Sequence, residues 1–264
     1  MLHSKLLFLL SVGLLSILPL QLQAGTPEAL SLNEILQRHT EAVGGLYHWQ
    51  KVESLKLIGT VERDGQLADI CIIKKRPNKI RATVTLINPA QPSQTIQLIR
   101  AHNGTEAWSA QRVKGIQTSE KQILSTGEAQ SLLNDANILP PLLNATQGNT
   151  TITLESPQQI ANNEVYTIKA TASKSNEATL FYVDSKTFHV VKSIHTTEYC
   201  KTTTLFAEYE KINELYFPRV RTIQDKGENT SILNVSSINI GVGIYEEYFK
   251  DIEHASLKAL SLGI

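Results

Sequence analysis

The sequence predicts an α+β fold in which a strongly curved antiparallel β-sheet of about eleven strands wraps around two helices. Three observations lead to this prediction. Most of the chain alternates apolar and polar residues with period two, and turn dipeptides such as Asp64-Gly65 and Asn103-Gly104 separate the runs. Two segments instead repeat their apolar residues at helical spacing. Some strand-like runs, including 178–183, are apolar on both faces, so both faces of the sheet must be covered.

The first predicted helix runs from Ser31 to Val43. Ser31 and Glu34 have the spacing of a capping box, and Gly44 with Gly45 supplies an end. The strand-like runs that follow are joined by short turns and not by helices, so the pattern is an antiparallel meander. A doubly wound nucleotide-binding fold, which needs alternating strands and helices, is therefore disfavoured.

The second predicted helix lies in a leucine-rich stretch, residues 120–147, which we call the middle segment. Ser125 and Glu128 repeat the capping-box spacing, and Pro140-Pro141 is expected to end the helix. The middle segment separates two blocks of strands and contains only four charged residues. It is either a helix packed on the sheet or a lid over an apolar cavity. As a lid, it would cover the cavity with Leu132, Leu133, Ile138, Leu139, Leu142 and Leu143.

A basic turn, residues 74–78, connects two predicted strands and contains Arg76. One interpretation is a solvated turn with no further role. The alternative is that the planar donor fork of Arg76 binds backbone carbonyls at the end of a neighbouring helix.

The N-terminus resembles a secretory signal peptide. Lys5 precedes an apolar run of about fifteen residues, and Ala24 provides a small residue for cleavage after position 24. We therefore expect residues 1–24 to be removed and 25–264 to form a single exported domain, with an uncleaved anchor as the alternative. Export leaves two states open for Cys71 and Cys200, a disulfide or two free thiols.

The charge balance narrows the choice of partners. The chain has 25 basic and 25 acidic residues, and removal of Lys5 with the signal peptide leaves one acidic residue in excess. Nucleic-acid-binding proteins usually carry a basic excess, so we expect no nucleic-acid partner. A hydrophobic interior is the favoured working surface.

A search for catalytic motifs finds no nucleophile elbow, phosphate-binding loop or metalloprotease helix. His189 and His195 would share a strand face, where two exposed structural histidines are expected more often than a metal pair. Glu246-Glu247 with Asp251 is interpreted as a solvated acidic face. We therefore expect neither enzymatic activity nor a cofactor.

Six short segments together resemble the LolA-like family of outer-membrane lipoprotein-sorting proteins. They are EAVGG at 41–45, LKLIGT at 55–60, KRPNKIR at 75–81, NGTEAW at 103–108, FYVDSKT at 181–187 and YEKINELYFP at 209–218. The order and spacing of the segments carry the resemblance. One departure is Glu214, which stands where the family has glycine.

The resemblance implies a half-open barrel whose concave face is covered by helices. It also implies a monomeric periplasmic carrier of acyl lipid or lipoprotein, with only transient membrane contact. By the same resemblance Arg76 would hold the lid closed, and Trp108 would be structural. The fold also serves an envelope stress regulator, so an envelope protein-interaction or stress-sensing module is the alternative function.

Overall fold

Thirteen antiparallel strands form one open, curved sheet in the computed structural model. The structure describes residues 30–87, 91, 94–113, 121–161, 163–173, 177–197, 200–225 and 229–250. The predicted signal peptide, with its cleavage after Ala24, and the beginning of the predicted 25–264 domain lie outside the described residues. The α+β class and the curved, half-open sheet are confirmed, with thirteen strands in place of about eleven.

The strands alternate in direction throughout. In chain order they are β1 (Ser54–Arg63), β2 (Gln66–Lys75), β3 (Lys79–Ile87), β4 (Thr95–Asn103), β5 (Ala107–Val113), β6 (Gln122–Ile123), β7 (Thr150–Ile160), β8 (Asn163–Ala172), β9 (Ala178–Asp184), β10 (Val190–Thr196), β11 (Lys201–Ile212), β12 (Leu215–Asp225) and β13 (Asn229–Ile240). Their spatial order is β6-β5-β4-β3-β2-β1-β13-β12-β11-β10-β9-β8-β7.

Two helices, α1 (Leu32–Ala42) and α2 (Leu46–Gln50), precede β1. Two more, α3 (Thr126–Ala136) and α4 (Pro141–Gln147), lie in the middle segment, and a short 3-10 helix spans Glu246–Phe249. None of the helices in the described residues is both long and apolar enough to cross a bilayer.

The position of β6 and β7 determines where the middle segment lies. These strands are consecutive in sequence but occupy the two opposite edges of the sheet. The chain between them, which contains α3 and α4, must therefore pass from one edge to the other. On a curved sheet the shortest such path crosses the open concave side.

Both predicted capping boxes are present. The Glu34 amide donates to Ser31 Oγ at 3.3 Å while the Ser31 amide donates to the Glu34 carboxylate at 2.8 Å. Ser125 and Glu128 form the same reciprocal pair at the start of α3. The two helix starts follow from local sequence because each bond joins residues three positions apart.

Gly44 permits the close approach that joins α1 to the sheet. Its φ is +105°, and a Cβ atom there would lie 2.0 Å from the carbonyl oxygen of Glu214. The Tyr216 amide donates to the Val43 carbonyl at 3.2 Å in this same place. A side chain at position 44 would separate α1 from the turn before β12.

Two helices were not predicted. Pro140-Pro141 was expected only to end a helix, but Pro141 is also the first residue of α4. Proline suits the first helical position because the amide it lacks would have no partner in the helix. The other, α2, has five residues, which is too few for a helical apolar repeat to be recognised.

The concave face is defined by strand register, since directly opposed residues share a face. Leu55 and Leu57 on β1 oppose Lys74 and Ile72 on β2. The face contributes most of the main core, where its residues pack with those of α2 and the middle segment. The buried members are Val43, Trp49, Val52, Leu55, Leu57, Ile138, Leu143, Leu215, Phe217, Leu233, Val235 and Ile238.

The convex face of β3–β5 is covered by the end of the described chain. Trp108 is fully buried, and its indole nitrogen donates to the Phe249 carbonyl at 3.1 Å. Arg81 donates to the Tyr248 carbonyl at 3.0 Å. Lys75 and Lys79 both form ion pairs with Glu246. These contacts attach the end of the described chain to the convex face of the sheet.

Candidate functional site

The middle segment lies on the concave face and buries most of the predicted lid residues. Leu132, Ile138, Leu142 and Leu143 are buried, whereas Leu133 and Leu139 are half-buried. The structure brings Ile138, Leu139 and Leu143 together in the main core. Leu132 instead packs in a separate cluster with Ile80, Ala107 and Ala136. Whether these residues bind a ligand remains a prediction.

Polar ties between the middle segment and the sheet occur near the two ends of α3. The Lys74 ammonium donates to the carbonyl of Asn137, the C-cap of α3, at 2.9 Å. Arg100 on β4 forms a 3.4 Å ion pair with Glu128 in the first turn of α3, where both side chains are exposed. An exposed pair of this kind contributes about 0–1 kcal/mol, so the bond from Lys74 is the stronger tie.

Beyond α3, the concave face of β2–β4 stays apolar and partly open. Ile70 opposes Val84, and Val84 opposes Leu98, so the three form one row across the sheet. Leu98 is 40% exposed, and the other two are half-buried. A recess of about 280 Å³ adjoins this row at β4–β5, with Leu98 and Gln111 in its lining. Apolar surface therefore extends from the core out to solvent.

A cluster of charged side chains lies within the same concavity. Lys74 on β2 and Arg221 on β12 are half-buried, and Asp135 on α3, which exposes part of its surface, lies close enough to interact electrostatically with both. Register places Lys74 and Arg221 on different strands of the same face, separated by β1 and β13. Sheet curvature brings them within electrostatic range of one another and of Asp135.

Burial dominates the protonation equilibria of this cluster. It lowers the pKa of Lys74 to about 8, with the charge of Arg221 acting in the same direction and Asp135 opposing it. Burial raises the pKa of Asp135 against the attraction of Lys74 and Arg221. It also lowers the pKa of Arg221 and raises that of Tyr209. The cluster contains two basic side chains and one carboxyl group.

Sequence reasoning missed this cluster, although a signal was present. Lys74 falls in phase with Ile70 and Ile72, and Arg221 falls in phase with Phe217, so both occupy core-facing positions. A basic residue at an apolar phase of a strand marks a charge that the fold must bury. Lys74 was instead interpreted as part of the basic turn, residues 74–78.

Arg76 binds the end of α2. Its Nε atom donates to the Val52 carbonyl at 2.7 Å, and its Nη2 atom donates to the Trp49 carbonyl at 3.0 Å. This geometry matches the alternative interpretation of the basic turn, with α2 as the neighbouring helix. Trp49 packs edge-on against Phe217 and shares the main core with Ile138 of the middle segment. These hydrogen bonds hold α2 directly, so any effect of Arg76 on the middle segment acts through α2.

The two strand histidines do not form a metal pair. His189 contacts the Ala42 carbonyl at 3.0 Å and stacks on Tyr209, whereas His195 contacts Thr179 at 2.9 Å. Both are half-buried, so the expectation that they are exposed was wrong. Among the described residues, no group of three or more His, Cys, Asp or Glu side chains could hold a metal ion.

Other candidate groups have structural roles. Glu246 accepts hydrogen bonds from Lys75 and Lys79, which lower its pKa to about 2. Asp251, the third member of the acidic group considered with it, lies outside the described residues. Cys71 and Cys200 are both free, and burial raises the pKa of the Cys71 thiol. A thiol held protonated is a weak nucleophile.

Comparison with known structures identifies the fold. A LolA superfamily protein from Nitrosomonas europaea matches with a TM-score of 0.54 and 14% identity over 84% of this chain and 98% of its own. A domain from Vibrio parahaemolyticus named for outer membrane lipoprotein sorting matches with a TM-score of 0.52 and 9% identity over 82% and 95% of the two chains. A DUF1329 family protein from Desulfovibrio piger matches with a TM-score of 0.53 and 9% identity over 83% and 97%.

These likenesses show a LolA-like fold, as the sequence motifs indicated. No family model and no curated protein matches the sequence. Because the identities are low and one fold hosts several functions, the function must be argued from the concavity.

Proposed function

We propose that this protein is a periplasmic carrier or binder of a lipid or lipid-anchored protein, and that it acts without enzymatic chemistry or a cofactor. The observation that carries the proposal is the row of Ile70, Val84 and Leu98, where the apolar concave face continues past α3 to solvent. Each CH₂ group of an acyl chain that leaves water there contributes about 0.8 kcal/mol. A chain of ordinary lipid length needs no catalytic group to be held.

The middle segment acts as the cover of this site. Leu132, Leu133, Ile138, Leu139, Leu142 and Leu143 would exchange contacts with the sheet for contacts with acyl chains. The segment can lift because its part beyond β6, residues 124–147, connects opposite edges of the sheet and belongs to neither strand block. Arg76 would help to hold the closed state by fixing α2, whose Trp49 packs in the same core as Ile138.

The remaining parts of the proposal concern location and assembly. We propose export to the periplasm with cleavage after Ala24, a monomeric state and only transient membrane contact. A neighbour of the same fold that is named for outer membrane lipoprotein sorting supports the envelope location.

The test combines native lipid analysis with a matched pair of variants. Organic extraction and mass spectrometry of natively purified protein should recover bound acyl lipid. Val84→Trp fills the open row on the concave face and should abolish lipid recovery. Thr83→Trp places the same side chain on the opposite face and should leave recovery unchanged. An empty wild-type protein that also fails to bind a fluorescent fatty acid would overturn the proposal.

A second candidate, an envelope protein-interaction or stress-sensing module, is favoured by the edge strand β7. This strand spans Thr150–Ile160, is mostly exposed, and pairs on only one side within the described residues. Such an edge can add a strand from another protein. Capture of an envelope protein that persists in Val84→Trp and is lost when β7 is disrupted would support this candidate.

A further inference from the structure

The two halves of the concave face differ in chemistry. On β9–β12 the register places polar side chains on this face. Arg221 opposes Phe206, Thr204 opposes Ser193, and His195 opposes both Thr202 and Thr179. Phe206 and Thr204 lie two positions apart on β11 and so share the face. Phe181, Phe206 and Ile223 share this face, so this half combines apolar side chains with hydroxyl, imidazole and guanidinium groups.

On the opposite half the concave face is apolar toward one end of the strands. On β2–β4 this end presents Ala68 and Ile70, then Val84 and Leu86, then Ile96 and Leu98, whereas Lys74, Arg100 and His102 lie on the same face toward the other end. Leu233 links the two halves, since it opposes Val61 of β1 on one side and Arg221 on the other. One continuous face thus joins the apolar row of Ile70, Val84 and Leu98 to the polar groups around Arg221, and a ligand that matches both has one apolar and one polar end.

Arg221 gives the polar end its charge preference. Its Nε atom is buried and has no hydrogen-bond partner among the residues that the structure describes. A buried guanidinium donor without an acceptor is destabilising, which an anionic acceptor would relieve. Lys74 is a second basic group within electrostatic range, and Asp135 is the carboxyl group that interacts with both. An oxyanion with two oxygens in one plane fits the donor fork of arginine.

We infer that the concavity binds an anionic amphiphile, with a phosphate or carboxylate headgroup at Arg221 and its acyl chain along the concave face of β2–β4. The inference rests on the proposed lipid-binding function and adds the headgroup class. Ser193, Thr204 and His195 supply hydroxyl and imidazole groups on the same face as Arg221. Asp135 lies on α3, so the counter-charge that the ligand replaces belongs to the cover itself.

The test is displacement of a neutral fluorescent probe, N-phenyl-1-naphthylamine, from the purified protein. The competitors are palmitoyl lysophosphatidylglycerol, palmitate, monopalmitoylglycerol and inorganic phosphate. We expect both anionic amphiphiles to bind at least about ten-fold more tightly than monopalmitoylglycerol, a difference of about 1.4 kcal/mol. Phosphate alone should not compete at the same concentrations, because it lacks the chain.

Two substitutions test whether Arg221 causes the preference for anionic amphiphiles. Arg221→Met should remove the ten-fold preference and keep binding of monopalmitoylglycerol, since an apolar side chain of similar length can replace a buried ion. Arg221→Lys keeps the charge and should retain part of the preference. The thermal midpoint of each variant reports whether the fold survives, and the Lys variant serves if the Met variant does not fold.

The outcomes separate the two proposals. Equal binding of charged and neutral amphiphiles, or a preference that Arg221→Met leaves intact, overturns the headgroup site and leaves lipid binding standing. Phosphate that competes as well as the lysolipid overturns the amphiphile and identifies a free oxyanion as the ligand. Failure of the probe and of every amphiphile to bind overturns both proposals.

Discussion

The ammonium group of Lys74 donates a 2.9 Å hydrogen bond to the carbonyl oxygen of Asn137, the residue that ends α3. It joins β2, an interior strand of the curved sheet, to the segment that crosses the concavity. Lys75, the next residue, lies on the opposite face and binds the Ile244 carbonyl and Glu246. Lys74 therefore binds the segment that covers the concave face, and Lys75 binds the C-terminal segment that covers the convex face.

Lys74→Met is expected to loosen the middle segment without unfolding the sheet. Loss of a charged hydrogen bond removes about 1.5–3 kcal/mol, so amide exchange in α3 and α4 should accelerate by roughly ten- to a hundred-fold. Hydrogen-exchange mass spectrometry measures this change. Lys75→Met is the matched control and should leave α3 and α4 unaffected. Equal acceleration in both variants would contradict the role of Lys74.

Arg76→Leu is expected to lower the free energy of unfolding by about 2–3 kcal/mol, because the carbonyls of Trp49 and Val52 lose a charged donor. Arg76→Lys should cost less, since it keeps the charge but has no planar fork. Denaturant unfolding gives both values. If Arg76 also holds the cover, a bound fluorescent fatty acid should leave the Leu variant faster. Unchanged stability together with unchanged release would indicate that Arg76 is only a solvated turn residue.

His39 should make stability depend on pH below neutrality. Burial lowers its pKa to about 4 from 6.5, with a smaller contribution from His189, and a hydrogen bond with the Phe188 carbonyl opposes the shift. Between these two values the unfolded chain takes up a proton that the folded protein does not. The free energy of unfolding should therefore fall by about 3 kcal/mol as the pH drops from about 6.5 to about 4.

The comparison for this prediction is His39→Gln, which keeps a donor for Phe188 but does not titrate. Unfolding titrations at pH 7, 5.5 and 4.5 should show a shallower decline in the variant. The half-buried His189, whose pKa burial also lowers, contributes a remaining slope in the same direction. Identical slopes in both proteins would show that His39 is not the titrating group.

Within the 3-10 helix, loss of a buried apolar side chain should reduce stability more than loss of an exposed charge. Phe249 is fully buried, so Phe249→Ala should reduce stability by about 3–5 kcal/mol through lost contacts and a cavity. Glu246→Gln removes partners of Lys75 and Lys79 at an exposed site and should cost no more than about 1 kcal/mol. Thermal unfolding of the two variants tests the ranking, and a larger loss for Glu246→Gln would reverse it.

Local signals predicted the parts of the fold that depend on neighbouring residues. The capping boxes at Ser31 and Ser125 mark the starts of α1 and α3, because their bonds close within one helical turn. Turn dipeptides and alternation located the strands for the same reason. The helix α4 was missed because Pro141 ends one helical pattern and begins another.

The candidate site was predicted in part. The leucines of the middle segment were identified from composition and spacing, and four of the six lid residues, Leu132 among them, are buried. The charged cluster was not identified, because Lys74 is in phase with Ile70 and Ile72 while Lys75 is in phase with Ile73, so alternation alone does not show which lysine faces the core. Whether a basic side chain points inward depends on strand phase relative to the core, and that phase requires the register.

By itself, the sequence determined the α+β class, the antiparallel connections and the apolar character of the middle segment. These properties follow from propensities and hydrogen bonds between residues close in the chain. Only the tertiary structure decided that β6 and β7 are opposite edges and that Lys74, Asp135 and Arg221 share one concavity. Such proximity comes from sheet curvature and from pairing of β1 with β13, which joins the two ends of the chain's strand order. No local pattern encodes that distance.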